Sequence, residues 1–397
     1  MIKPFLPKTR IIVLQGNMAE NGITGAILTY SRDIYYYTGT ARPSILAVTP
    51  SSLALFVKDG FDLVLDETWI DKDFVRNGAE LDRISSFFHS NIPAAQIGPK
   101  LGLELDVIPA VLYQKLLSAI DGVQPVNVSP LILEQRLVKD EKEVQLTRQA
   151  CRILEAGHER LLMVLREGIR EIDLAAEIEA EHRRHLHEGV YFMRLTDFTM
   201  SRGPIASGEN LARNSGIVRT ISGVGLSSAI PAGPSERVIR KGDHVMIDIP
   251  SNFRGYHADQ SRTYVLGKAL PEARELYASL REVCVSLLPL CRDGVNCRNI
   301  YDEAIKKALS LGIGRFFLSY GPRKADFIGH GIGLELNEPP FLSPSDSTTL
   351  KEGFLITVEL PLVHPGIGGL KIEETVLVKK DSGEVLTHAP NTLTEVE

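Results

Sequence analysis

Short aliphatic runs mark the first third of the chain. Ile11–Leu14, Ala26–Thr29, Ile45–Val48 and Leu53–Phe56 are bounded by Gly, Pro, Ser or Asp, which predicts four strands. Pro109–Ile120 is apolar at mixed spacing and predicts a helix, with the proline tolerated in its first turn. Strands alternating with helical segments make this an α/β domain of about 130 residues. It holds no glycine-rich phosphate loop: Gly39-Thr-Ala-Arg-Pro reads as a turn.

From Glu134 the pattern changes. Arg136–Leu165 is rich in helix formers, with Val144, Thr147, Ala150, Leu154 and Leu161 near helical spacing. A second helix is predicted from Ile172 to about Glu188. The domain boundary therefore falls within Ile132–Lys139, giving domains 1–133 and 134–397. Ser201–Pro234, rich in Gly, Ser, Pro and Asn, predicts loops and short strands beside a binding site.

Three later segments alternate with period two, and each carries an acid. In His244-Val-Met-Ile-Asp248, Val245 and Ile247 share one face, and His244, Met246 and Asp248 share the other. In Leu355–Leu360, Ile356, Val358 and Leu360 lie opposite Thr357 and Glu359. In Leu370–Val376, Leu370, Ile372 and Val376 lie opposite Lys371, Glu373 and Thr375. The pattern predicts aliphatic faces packed on helices and polar faces that bring carboxylates together. Converging carboxylates repel one another unless a cation sits among them, and oxygen donors suit hard divalent ions.

Asp259 follows Asp248 after Arg254-Gly-Tyr256, a predicted hairpin turn that folds it back beside Asp248. His330 lies in Gly329-His-Gly-Ile-Gly333, where the glycines allow close backbone approach. Asp248, Asp259, His330, Glu359 and Glu373 are thus the candidate metal ligands. His257 and His364 are candidate substrate-binding groups near this set. The cluster His182, His185 and His187 reads as a solvated helix end.

Composition narrows the classes. Of 397 residues, 44% are hydrophobic and 24% charged, as in a globular protein of two or three domains. A net charge of −6 argues against a nucleic-acid partner, and no apolar run approaches the roughly 20 residues that span a bilayer. Cys151, Cys284, Cys291 and Cys297 show no CxxC spacing and read as reduced thiols, so a cytoplasmic location is expected.

Several segments carry a family resemblance. They are Lys241–Asp248, Gly255–Thr263, Gly329–Glu335, Val358-Glu359 and Lys371-Ile-Glu373, with weaker likeness in Arg136–Glu143, Ala26–Tyr30 and Asp33–Gly39. The chain resembles the pita-bread metallopeptidases: Xaa-Pro dipeptidases (prolidases), Xaa-Pro aminopeptidases, methionine aminopeptidases and creatinases. Its length favours the two-domain prolidase and creatinase branch.

The resemblance implies an N-terminal creatinase/prolidase-like α/β domain. It also implies a C-terminal pita-bread domain, with a curved, mostly antiparallel sheet backed by helices. Two divalent metal ions are implied, manganese first, with cobalt, zinc or iron as alternatives. Asp259 and Glu373 would bridge them, Asp248 would chelate one, and His330 and Glu359 would complete the other. Glu373 rather than Glu374 becomes the ligand. A hydroxide bridging the metals would cleave a peptide bond before proline, with Glu359 moving the proton. A homodimer is implied too.

Two departures stand out. Where the peptidases carry a histidine in a pattern like EVHEPP, this chain has Glu335-Leu-Asn337-Glu-Pro-Pro340, so Asn337 is a candidate substrate contact. Where they have LPHG, it has Ile230-Pro-Ala232-Gly233. Asparagine can hydrogen-bond an oxyanion but cannot carry a proton at neutral pH. The alternative function is therefore a creatinase-like or other small-molecule C–N hydrolase or lyase on the same scaffold.

Overall fold

The computed structural model describes residues 8–92, 98–195, 202–213, 215–216, 218, 220–320 and 323–397, and the chain divides into two compact units, Met1–Arg136 and Leu137–Glu397.

The first unit is a six-stranded mixed sheet. Its strands are β1 (Ile23–Leu28), β2 (Ser44–Val48), β3 (Leu53–Val57), β4 (Val75–Asn77), β5 (Lys100–Leu103) and β6 (Gln124–Asn127), in the order β4-β3-β2-β1-β5-β6. Three of the four predicted strands appear as β1, β2 and β3, and Ala110–Ala119 is the predicted helix. Ile11–Leu14 is not a strand but part of the helix Thr9–Glu20. Ile11, Leu14 and Met18 are buried at helical spacing, while Ile12 and Val13 are exposed. Four apolar residues in a row cannot distinguish the two periods, and the longer context decided it. Arg136 pairs with Asp33 at 2.7 Å inside this unit, with both side chains buried. Glu104 lies in the same interior. Burial, then the charge of Asp33, pushes its carboxyl up to about 8.

In the second unit the predicted helix 136–165 is two helices. Ser129–Leu137 ends one, and Glu141–Val164 begins after Asp140, whose side chain accepts from Glu143 N while Glu143 accepts from Asp140 N, at 2.9 Å each. This reciprocal cap fixes the start of the helix. The following helix, Glu171–Arg184, ends before Leu186, which takes a left-handed φ of 76°. His182 continues the buried face of that helix, four residues after Ile178, and His187 is buried just past the bend, so the cluster expected to be solvated is largely buried and His185 alone of the three is exposed. Burial pushes the His182 and His187 imidazoles down to about 3 and about 4.

Two sheets build the rest. One contains β7 (Ile205–Ser207), β8 (His244–Asp248), β11 (Ser261–Leu266) and β19 (Thr394–Val396), in the order β19-β11-β8-β7. Between β8 and β11 lies the hairpin of β9 (Ser251–Phe253) and β10 (Tyr256–Ala258). Its turn is Arg254 and Gly255, at φ 49° and 80°, the paired positive φ that a tight right-twisted hairpin needs. A small hairpin joins β12 (Ser319–Tyr320) to β13 (Arg323–Lys324). The other sheet contains β14 (His330–Gly331), β15 (Glu338–Phe341), β16 (Leu355–His364), β17 (Gly368–Val378) and β18 (Gly383–Val385), in the order β15-β14-β16-β17-β18.

Each sheet has one helix-covered face. Ile356, Val358, Leu360, Leu370, Ile372 and Val376 are buried in one cluster with Leu280, Val283 and Leu287 of helix Pro271–Leu287 and Ile300 and Ala304 of helix Cys297–Ser310. Val245, Ile247 and Tyr264 pack with Leu161, Leu174 and Ile178 of the helices Glu141–Val164 and Glu171–Arg184. With the aliphatic faces committed to helices, the polar faces of β8, β11, β16 and β17 are left to form the site. The two sheets are tied by side chains. The Thr263 hydroxyl donates to Lys371 O at 3.1 Å and accepts from Lys371 N at 2.9 Å, and Arg262 donates to Glu373 O at 2.7 Å.

Leu360 is fully buried between β16 and its covering helices. Leu360→Ala is expected to lower unfolding stability by about 2–5 kcal/mol, as measured by urea denaturation. A loss under about 1 kcal/mol would mean that this face is not the structural core.

Candidate metal centre

β16 and β17 pair antiparallel with Glu359 directly opposite Glu373 and Thr357 opposite Thr375. Directly opposed residues project to the same face, so this register alone places both acids together. On β8, Asp248 is opposite Ser261 of β11. The Ser261 hydroxyl lies 2.5 Å from Asp248 Oδ1 and 2.8 Å from Glu373 Oε2, joining the acids of the two sheets.

The two threonines hold the remaining members. His330 N donates to Thr357 Oγ1 at 3.2 Å, and Asp259 N donates to Thr375 Oγ1 at 3.0 Å while that hydroxyl donates back to Asp259 O at 2.7 Å. The glycines around His330 are required by packing. A Cβ on Gly329 would lie 2.0 Å from Thr357 O, and one on Gly331 would lie 2.0 Å from Pro339 O. β14 thus fits between β15 and β16 only without side chains at those positions.

All five acids and bases singled out in the sequence are buried. Their donor atoms form two groups, Asp259–His330–Glu373 and Asp248–Glu359–Glu373, each within 4.8 Å and sharing Glu373. Glu359 therefore groups with Asp248 rather than with His330. Lys371, two residues before Glu373, projects to the same face and lies among that group. Its Nζ lies 2.6 Å from Asp248 Oδ2, 2.6 Å from Glu359 Oε1 and 3.4 Å from Glu373 Oε2.

The electrostatics follow from this crowding. Burial, and then the charge of Asp248, pushes the Asp259 carboxyl well above its usual range. Burial, and then Asp259, does the same to Glu373. Burial also works against Glu359, but the Lys371 ammonium and His330 outweigh it and hold its carboxyl below the ordinary value. Burial lowers His330, leaving a neutral imidazole able to ligate a metal. Burial works against the Lys371 cation, yet Asp248 and Glu359 raise it well above the usual lysine value. Glu373 Oε1 is buried with no hydrogen-bond partner, while His330 Nε2 stands 3.9 Å away. An orphaned carboxylate oxygen facing a neutral imidazole and a second carboxylate fits a divalent cation.

The other candidates lie differently. His257 is buried, and both its ring nitrogens are engaged with backbone: Nε2 accepts from Phe192 N at 3.1 Å and Nδ1 donates to Gly333 O at 2.8 Å. It ties the Gly331–Gly333 loop in place. His364 is an odd number of residues from Glu359 on a regular strand and so faces the other way. Its ring stacks edge-on against Phe316 at 4.3 Å, and its Nε2 is 3.7 Å from Glu272 on the covering helix. Neither placement supports the expected substrate role. Asn337 is half-buried, one residue before Glu338, whose backbone pairs with Gly331, and so sits beside the His330 strand. Glu374 faces away from the site and pairs with buried Arg262 at 2.7 Å.

A model of metallopeptidase family M24 matches residues 145–380, and one of the creatinase/prolidase N-terminal domain matches residues 10–138. The chain belongs to metallopeptidase family M24. It is a metal-dependent hydrolytic peptidase of the two-domain pita-bread branch, and the small-molecule hydrolase or lyase alternative is not favoured. It is 25% identical over 374 residues to an Xaa-Pro dipeptidase of Pyrococcus horikoshii, covering 93% of this chain and 94% of the relative. It is 28% identical over 294 residues to a putative dipeptidase of Bacillus subtilis, covering 74% and 72%. The crystal structure of an Xaa-Pro dipeptidase from Bacillus anthracis superposes with a TM-score of 0.81 at 25% identity, covering 98% of this chain and 99% of that one. An X-Pro aminopeptidase from Thermotoga maritima shares the fold, with a TM-score of 0.79 at 24% identity and coverage of 98% and 99%.

The raised carboxyls set a pH dependence. In chelator-stripped protein, the folded state keeps protons on Asp259 and Glu373 that the unfolded chain loses in the ordinary carboxylate range. Their contribution to stability is thus full below that range and is lost as pH rises through it toward the raised folded values. Glu373→Gln is expected to flatten the fall in urea midpoint between about pH 5 and 8, and an unchanged slope would count against the assignment.

Proposed function

We propose that this member of the family removes the N-terminal residue from dipeptides or short peptides with proline after the scissile bond. We assign Asp248, Asp259, His330, Glu359 and Glu373 as ligands of two divalent metal ions. The observation that carries the assignment is the pair of donor groups sharing Glu373. The Xaa-Pro dipeptidases of P. horikoshii and B. anthracis, matched over nearly their whole length, support the substrate class.

Divalent cations held there would lower the pKa of water and polarise the scissile carbonyl. The protein's own groups do the rest. Glu359, whose carboxyl is held ionised, takes a proton from the attacking water and returns it to the leaving imino nitrogen of proline. His330 remains neutral and its ring keeps a fixed orientation because its Nδ1–H donates to Gly331 O at 3.1 Å, while its backbone N–H is anchored on Thr357. Asn337 would donate a hydrogen bond to the developing oxyanion, at the position where the resembled peptidases have a histidine.

Four carboxylates and one imidazole favour manganese, with cobalt, zinc or iron as substitutes. The four free, buried cysteines support a reducing, cytoplasmic setting. The homodimer is carried over from the family resemblance. Among the described residues, no helix is long and apolar enough to cross a membrane.

The protein loaded with Mn²⁺ is expected to hydrolyse a panel of Xaa-Pro dipeptides. Glu359→Gln should lower kcat by about 10²-fold or more with a smaller change in KM. No cleavage of dipeptides or longer Xaa-Pro peptides by fully loaded protein would overturn the substrate assignment.

A further inference from the structure

Lys371 is fully buried, and its ammonium touches an oxygen of every member of one donor group, Asp248, Glu359 and Glu373. Among the described residues it forms no ion pair with Asp259 and no contact with His330 in the other group, where the shared Glu373 has its Oε1 without a hydrogen-bond partner. The two groups are therefore unequal: an internal cation already rests on one, and the other has an unsatisfied donor. Contacts of 2.6 Å are short, charge-assisted bonds. A metal ion bound at the ordinary oxygen distance of about 2.0–2.2 Å would compete for those oxygens. Two cations sharing one small buried space would also repel strongly.

We propose that Lys371 is a built-in competitor for one metal position. Its ammonium must leave Asp248 and Glu359 before an ion binds there, so the second metal is weakened by the protein's own side chain. The inference rests on the assignment of these residues as metal ligands, but not on proline specificity. The chain's position supports it. Lys371 is fixed at its backbone by Thr263 on both N–H and C=O, so only the flexible four-carbon side chain needs to move.

The test uses full-length protein stripped with a chelator and titrated with Mn²⁺ alone, followed by calorimetry and by metal content after desalting. Wild type is expected to bind one equivalent tightly and a second more weakly. Lys371→Met, and Lys371→Gln as an independent uncharged variant, should tighten the second Mn²⁺ at least tenfold while leaving the first within about threefold. Losing the cation should also lower the melting temperature of the stripped variants and enlarge their rise in melting temperature on adding Mn²⁺. A variant that folds only with Mn²⁺ is purified in it, and should then retain two equivalents under dialysis that leaves wild type with one. Unchanged or weaker binding of the second ion in both variants would overturn the proposal and make Lys371 a fixed structural cation. Because no peptide is used, that failure is distinct from a failure to cleave Xaa-Pro substrates.

Discussion

Burying Asp248, Asp259, Glu359 and Glu373 side by side is the constraint on which the C-terminal unit depends. Burial and the neighbouring acids raise the cost of ionising Asp259 and Glu373, while the Lys371 ammonium offsets that cost at Glu359. The arrangement holds because rigid elements impose it. β16 and β17 are the longest strands, their far faces are filled by two helices, and their register leaves Glu359 and Glu373 no choice of side. The residues between the acids are chosen to match. Thr357 and Thr375 anchor the backbone of His330 and Asp259, and Ser261 joins Asp248 to Glu373. The aliphatic stripes thus stabilise the fold and, by committing one face to helices, create the site on the other.

Much of this was legible in the sequence because strand alternation is a strict rule. The faces of β8, β16 and β17 follow from reading every second residue, and the Arg254–Gly255 turn explains how Asp259 returns to Asp248. What was not legible depended on longer context. Ile11–Leu14 carries no period of its own, and only its helical neighbours settle it. The His182–His187 cluster is charged and polar in sequence, yet His182 falls in register with buried Leu174 and Ile178 on its helix, and His187 is buried past the left-handed bend at Leu186. His257 and His364 are near the ligands along the chain, but one is spent on backbone hydrogen bonds and the other faces the covering helix. For His364 the signal was present, since five residues from Glu359 on one strand means the opposite face.

Lys371 shows the same rule unused. Its place two residues before Glu373 puts it on the acid face, so an ammonium among the carboxylates follows from the alternation that located the acids. A search for metal ligands passes over lysine because it cannot ligate when protonated, but in a buried cluster of like charges any cation matters as much as a ligand. The neighbouring pair Arg262–Glu374 repeats the arrangement on the other face, where a buried guanidinium answers the next acid along β17. The two successive glutamates of that strand are thus both compensated, one by a fixed cation and one within a set that suits a movable ion.

The positions where related peptidases carry histidines are not equivalent. Ala232 is fully buried, and its methyl group offers neither a hydrogen bond nor a proton. Asn337 is half-buried beside the His330 strand, where a polar side chain can still meet a substrate. One histidine position thus carries a methyl group and the other a hydrogen-bonding amide, and neither moves a proton. His330 is a neutral imidazole and His257 is engaged with backbone, which is why the proposed mechanism gives proton transfer to Glu359. That carboxyl is also the one Lys371 holds most closely with Asp248, which ties the chemistry of the site to the position of a single ammonium.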